Sequence, residues 1–214
     1  MINNKEVFNK IFEQKGFGSK YHSGEGANVE QTKKIIVELP ILFNKYNIKS
    51  LLDAPCGDFN YMQFVYKSVG FYTGADISDK LIERNKKLFP EVNFKIMDIK
   101  NDKLPDVDCL LCRDIFVHMH YDDIKKSIIN IKKSKIKYLL TTTFPETGKI
   151  RAPNKILTQI NTASLFWQPL NLQQSPLNFP KPLTIINENC TEENGIYKDK
   201  SLGLWIVKLL PDYS

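Results

Sequence analysis

At 214 residues, 42% of them hydrophobic and 11% aromatic, the chain can bury a full core as one globular unit with elaborations. Its net charge of +6 raises nucleic acid as a partner, but 27 of the 30 basic residues are lysine and only Arg84, Arg113 and Arg151 are arginine, whereas readers of bases and phosphates favour clustered arginine forks. The N-terminus MINNKEVFNK lacks the apolar run and cleavage site of a signal peptide, and no stretch approaches the ~20 apolar residues of a membrane span. A cytoplasmic protein without membrane insertion is expected.

In chain order, residues 1–47 read as an N-terminal helical cap. The Gly-rich segment KGFGSKYHSGEGAN leads into a helix over 28–46, interrupted at Pro40. Strand-like apolar runs follow at SLLDA (50–54), FYTGAD (71–76), NFKIMD (93–98), VDCLLC (107–112) and KYLLTTTF (137–144). Helix-compatible stretches separate several of them, which implies βαβ units and a parallel sheet covered by helices. SDKLIERNKKLF (78–89) is the clearest helix: Ser78 caps it, Leu81, Ile82, Asn85, Leu88 and Phe89 form a face, and Pro90 ends it. The lysines of IKKSIINIKKSKIK (124–137) recur at helical spacing and suit a solvated helix face.

Residues 145–182 form a long insertion with several prolines and prominent aromatics, a length that usually carries function or its own small structure. LTIINEN (183–189) and SLGLWIVKLL (201–210) close the chain as an antiparallel hairpin at the sheet edge. The fold class is therefore α/β: one domain over 1–214, a seven-stranded, mostly parallel, Rossmann-like sheet with a final antiparallel hairpin and helices on both faces. Four cysteines include Cys109 and Cys112 in CLLC, but that run has no turn to fold two thiolates around zinc, so no metal is expected.

The stretch LLDAPCGDFNYM (51–62) raises the functional question, because an apolar strand ends in an acid, a one-glycine turn, a second acid and residues that can open a helix. In open parallel sheets ligands sit beyond the carboxyl ends of the strands, where the first loop meets them. Gly57 permits close backbone approach, and Asp76 lies nineteen residues further on, near the ~20-residue spacing that brings an acid to a ribose hydroxyl pair. A dinucleotide site needs G-x-G-x-x-G, whereas Asp53 and Asp58 flank a single glycine here and repel a pyrophosphate. They suit a ligand with an ammonium and a sulfonium, such as S-adenosylmethionine (SAM), whose amino group either Asp53 or the loop backbone can engage. Asp98, with Ile99 beside it, closes the third strand where a carboxylate reaches an adenine amino group and an aliphatic side chain covers the ring.

As a set, LLDAPCGDF, GADIS, IMDI and LLCRDIFVHM resemble the class I SAM-dependent methyltransferases across residues 48–144. The resemblance implies a loop of Pro55, Gly57, Asp58 and Phe59 under the cofactor, Asp76 and Ile77 at the ribose, Asp98 and Ile99 at the adenine, and Arg113 beside the methyl group. The chain departs from the family where Pro55 and Phe59 replace two of the loop's three usual glycines. PCGDFNYM, LCRDIFVHM, TTTFP, WQPLNL and NENC further resemble small bacterial methyltransferases found among surface-polysaccharide genes. In that group SGEGA closes over the cofactor, placing Ser23, Gly24 and Gly26 near its carboxylate; a plain flexible turn is the alternative.

Methyl transfer to a hydroxyl requires a base, while a neutral amine needs mostly alignment and desolvation. His118 is the leading base candidate and Asp114 the second. Arg113 either pairs with Asp114 or holds an anionic acceptor group. Phe144, Trp167 and Asn171 follow the fifth strand, where an acceptor pocket can form and a sugar face can stack on Trp167. The expected partner is a small-molecule or glycan acceptor. The rival readings are a nicotinamide-dependent sugar oxidoreductase and an RNA-binding module.

Overall fold

The computed structural model describes residues 4–13, 23–147, 156–160 and 163–214. The N-terminal helices are α1 (Asn4–Glu13) and α2 (Val29–Lys45), followed by strands β1 (Ser50–Asp53) and β2 (Phe71–Asp76), helix α3 (Asp79–Leu88), and strands β3 (Phe94–Ile96) and β4 (Cys109–Cys112). Helix α4 (Tyr121–Lys133) and β5 (Tyr138–Thr143) complete the parallel part; β6 (Ile156–Ile160), β7 (Ala163–Phe166), β8 (Thr184–Asn187) and β9 (Ser201–Ile206) follow. Seven strands form one sheet in the order β3-β2-β1-β4-β5-β9-β8, and β6 and β7 pair separately inside the insertion. The first five are mutually parallel, while β9 runs antiparallel to both β5 and β8. All seven expected strands are present, and the expected hairpin closes one edge of the sheet.

Strand alternation divides the core. Leu52, Leu110, Cys112 and Leu139 pack with Ile124, Ile128 and Ile131 of α4. Their neighbours Leu51, Cys109, Leu111 and Leu140 pack on the other face with Ile35, Leu39 and Phe43 of α2 and Ile82 of α3. Both faces are covered, so the strands read as apolar runs rather than alternating ones. Cys109 and Cys112 consequently belong to opposite faces of the sheet.

Three local expectations change. The helix over 28–46 is not interrupted: α2 runs through Pro40. The buried seam of Thr32, Ile35, Leu39, Leu42 and Phe43 holds both halves against the sheet, outweighing the backbone hydrogen bond that a proline forfeits. On α3, Ser78 caps as expected, its hydroxyl accepting from Leu81 N at 3.3 Å, but Leu88 is 55% exposed and the buried face is Leu81, Ile82 and Asn85. After β1 no α-helix forms; the chain winds into 3-10 turns at Met62–Phe64 and Tyr66–Ser68. Phe59, at φ 60°, interrupts any helix begun at Asp58, and the extended backbone of Val69 ends the run. Among the described residues, no helix is long and apolar enough to cross a membrane.

Candidate functional site

The strand order reverses between β1 and β4, and a cavity of about 130 Å³ opens there beyond the strand ends. The loop after β1 forms its floor. Cys56 N donates to Ala75 O at 2.8 Å, and the buried Asn85 of α3 donates its amide to Gly57 O at 2.7 Å. Asp76, at the end of β2, accepts from Gly57 N at 3.3 Å and from Ser78 N at 3.0 Å. Pro55, Gly57, Asp58, Asp76 and Ile77 all border the cavity. Burial pushes the Asp76 carboxyl up to about 6 against the pull of its backbone donors.

Asp98 and Ile99 border a smaller cavity at the carboxyl end of β3, which shares Pro55, Asp76, Ile77 and Ile115 with the first. The two cavities thus adjoin across these residues at the carboxyl end of the sheet. The Asp98 carboxylate also shapes its own turn, accepting from Lys100 N at 2.9 Å and from the Asn101 amide at 2.7 Å.

Two loop residues depart from expectation. Phe59 does not border the cleft: it is 1% exposed, and its ring packs against Tyr66, Tyr72, Phe89 and Phe94 at centroid distances of 4.9–5.6 Å. It takes the positive φ that a glycine takes at low cost, and aromatic burial offsets the strain. Asp53 does not reach the cleft either. It is 1% exposed beneath the loop, Tyr72 donates to its Oδ2 at 2.7 Å, and Oδ1 has no hydrogen-bond partner among the described residues. Desolvation pushes its carboxyl up to about 7, against the Tyr72 hydrogen bond.

The SGEGA segment is fastened onto the loop. Ser23 borders the cleft, and its Oγ accepts from Asp58 N at 2.7 Å, while Asn60 donates to Ala27 O at 2.8 Å. Gly24 and Gly26 do not line the cleft. Gly24 turns the chain at φ 84°. Gly26 offers its carbonyl to Arg113 at 2.7 Å, and a Cβ there would sit 3.2 Å from Lys200 Nζ.

Arg113 is the centre of a buried charge cluster, and Asp114 is only its secondary partner. Its Nε and NH2 donate to Glu188 at 3.1 and 2.6 Å, NH1 lies 3.3 Å from Asp114, and its plane stands 5.2 Å over the Tyr61 ring. Of the two expected roles, the pairing with Asp114 is present, and Arg113 also borders the cavity with its fork given to Glu188 and Gly26. Asp114 Oδ2 also meets Lys200 Nζ at 2.6 Å, and the Thr142 hydroxyl donates to its Oδ1 at 3.0 Å. Burial opposes ionisation, but Arg113 and Lys200 hold the Asp114 carboxyl well below the usual carboxylate range. A group so acidic is a poor proton acceptor at neutral pH. Asp114 also has φ 57°, a strained conformation of the kind that marks functional sites.

His118 ends a 3-10 turn (Phe116–His118) and borders the cleft together with Asp114. Gln168 N donates to Val117 O at 2.9 Å, bringing the insertion beside this turn. Trp167 packs edge-on to Phe144 at 6.1 Å and to Tyr197 at 4.9 Å. Phe144 itself is buried. Asn171 is occupied by its own loop, donating to Pro145 O at 2.8 Å and accepting from Gln173 N at 3.0 Å, so its amide braces the insertion. Arg151 lies outside the described residues.

Sequence reasoning missed Phe8, Phe12, Tyr61, Ile115, Glu188 and Lys200. Phe8 and Phe12, four residues apart, carried a legible signal as one helix face. Glu188 and Lys200 carried none, because only the final hairpin brings them to Arg113.

The sequence matches no protein-family model and no curated protein. Among solved structures, the chain is similar to magnesium protoporphyrin IX methyltransferase from Synechocystis PCC 6803 with bound S-adenosylhomocysteine (SAH), with a TM-score of 0.62, 12% identity, and 95% of this chain and 97% of that one covered. It is similar to human N-acetylserotonin methyltransferase in complex with SAM at a TM-score of 0.61 and 13% identity, over 95% of this chain and 59% of that one. The chain thus has the Rossmann-like methyltransferase fold.

Proposed function

We propose that this protein is a cytoplasmic SAM-dependent methyltransferase acting on a hydroxyl or amine of a small acceptor. The observation that carries this reading is the buried Asp76 carboxylate at the end of β2, facing the cleft at the switch point and bordered by a one-glycine loop. An acid there accepts from the two hydroxyls of a ribose. The loop lacks the glycines a pyrophosphate needs, and Asp58 on its rim disfavours a second phosphate. These residues fit SAM: Asp76 and Ile77 at its ribose, Asp98 and Ile99 at the adenine end, and Ser23, Gly57 and Asp58 toward its methionine end. The similar structures solved with SAM or SAH support the same cofactor.

When bound, SAM would supply an electrophilic methyl carbon for the acceptor lone pair, with SAH as the leaving group. The protein's work is to align acceptor and methyl in line and to exclude water. In this reading His118 takes the acceptor's proton, and Asp114, held anionic, orients the acceptor beside it. Trp167, edge-on to Tyr197 next to that turn, forms an aromatic wall suited to a sugar face. A bacterial surface-glycan precursor is the acceptor class drawn from the motif resemblance.

Thermal unfolding with added ligands tests the reading. SAM and SAH should each raise the melting temperature through selective binding to the folded state. A response confined to NAD(P) would replace the reading with an oxidoreductase, and one confined to RNA with a binding module. Radiolabelled SAM with a panel of sugar and amine acceptors then identifies the acceptor.

A further inference from the structure

We propose that Phe8 of α1 roofs the adenosine end of the cofactor cleft and that Asn9 is the positioning residue that sets α1 over it, an inference resting on the SAM reading above. Phe8 borders both the central cavity and the smaller one at the end of β3. Phe12, one turn further on, borders the central cavity. An aromatic ring spanning the ribose and adenine ends is placed to stack on a purine and keep water from it.

Asn9 ties this helix to the α3 N-terminus. Its amide donates to Asp79 Oδ1 at 2.9 Å, and its Oδ1 accepts from the Ser78 hydroxyl at 2.6 Å. The same Ser78 caps α3 through its hydroxyl, and its backbone N–H donates to Asp76 Oδ1 at 3.0 Å. Asn9 is therefore one residue removed from the carboxylate assigned to the ribose. Lys5–Asp79 at 2.7 Å and Lys80–Glu13 flank it, but these pairs are partly exposed, and such pairs add little.

A ten-residue helix is too short to be stable alone in water. Its order must come from what it packs on, and a ligand beneath Phe8 completes that packing. Cofactor binding and α1 docking are thus coupled through one aromatic contact and one amide.

Calorimetry with SAH tests this on wild type, Phe8→Ala, Phe8→Leu and Asn9→Asp, alongside hydrogen exchange of residues 4–13. Asn9→Asp keeps the shape but sets a carboxylate against Asp79. We expect Phe8→Ala and Asn9→Asp each to weaken SAH binding roughly tenfold, with Phe8→Leu between them and wild type, while ligand-free melting temperatures stay near wild type. SAH should slow exchange in α1 of wild type and not of Phe8→Ala. If wild type binds SAH and the folded Phe8 variants bind within about twofold of it, with exchange in α1 unchanged by ligand, the roof is overturned and the SAM reading stands. If wild type binds no SAH, the SAM reading fails, and this proposal fails with it.

Discussion

The Ser23 hydroxyl fills the space that a side chain at residue 57 would need: a Cβ on Gly57 would lie 2.3 Å from Ser23 Oγ, and that same oxygen accepts the Asp58 N–H at 2.7 Å. The covering segment and the loop after β1 therefore dock through the absence of one side chain. Gly57 also holds φ +52°, where any other residue is strained. Gly57→Ala should expel Ser23 and weaken SAM binding by more than tenfold, with a loss of stability of about 1–2 kcal/mol. Adding Ser23→Gly should recover part of the binding. Calorimetry and denaturant unfolding check both; normal binding by folded Gly57→Ala would separate the loop from the cofactor.

In the proposed reading Asp76 ties cofactor affinity to pH. Its carboxyl, raised by burial to about 6, must be ionised to accept both ribose hydroxyls well. SAM affinity should be flat above pH 7 and fall roughly tenfold per pH unit well below 6. Asp76→Ala should cost ~1.5–3 kcal/mol of binding at pH 8 and abolish the acid-side fall. Titration calorimetry from pH 5 to 8 measures both.

Asp53 acts on stability instead. Its carboxyl rises from an unfolded value near 3.8 to about 7, so the folded state holds the proton more tightly. The favourable contribution is complete below pH 4 and is lost as pH rises through 7. Wild type minus Asp53→Asn should therefore show a stability difference that grows against wild type between pH 5 and 8, on the order of 2–4 kcal/mol. Parallel pH dependences in urea unfolding would rule this out.

Glu188 compensates Arg113 in the interior, where it is 3% exposed. Glu188→Ala leaves a buried guanidinium without its bidentate partner and should cost ~3–5 kcal/mol. Gly26 is held by the same guanidinium, so SAM binding should weaken too. Chemical unfolding measures the first effect and calorimetry the second.

His118 carries the acceptor chemistry in the proposed reading. His118→Ala should lower kcat by about 10²- to 10⁴-fold for a hydroxyl acceptor while leaving SAM affinity nearly unchanged. An amine acceptor predicts a smaller loss. Near-wild-type turnover in a stable variant would remove His118 as base, and Asp114, already ionised by Arg113 and Lys200, cannot titrate near neutrality to replace it.

The sequence by itself determined the sheet and picked out the residues proposed for the cofactor side of the cleft. Doubly covered parallel strands are written as local apolar runs, and Gly57, Asp76, Asp98 and Ile99 sit at the ends of those runs, so strand boundaries alone locate them. Tertiary structure decided everything that depends on where a side chain points or which distant residue meets it. Phe59 and Asp53 belong to the loop motif yet face the core, because the aromatic cluster and Tyr72 claim them. Arg113 stands next to Asp114 in the chain but gives its fork to Glu188, 75 residues away. Phe8 lines the same cavity as Asp76 on a helix whose Asn9 meets Ser78, 69 residues further on. Such contacts are selected by the packing of whole elements, and no local pattern encodes them.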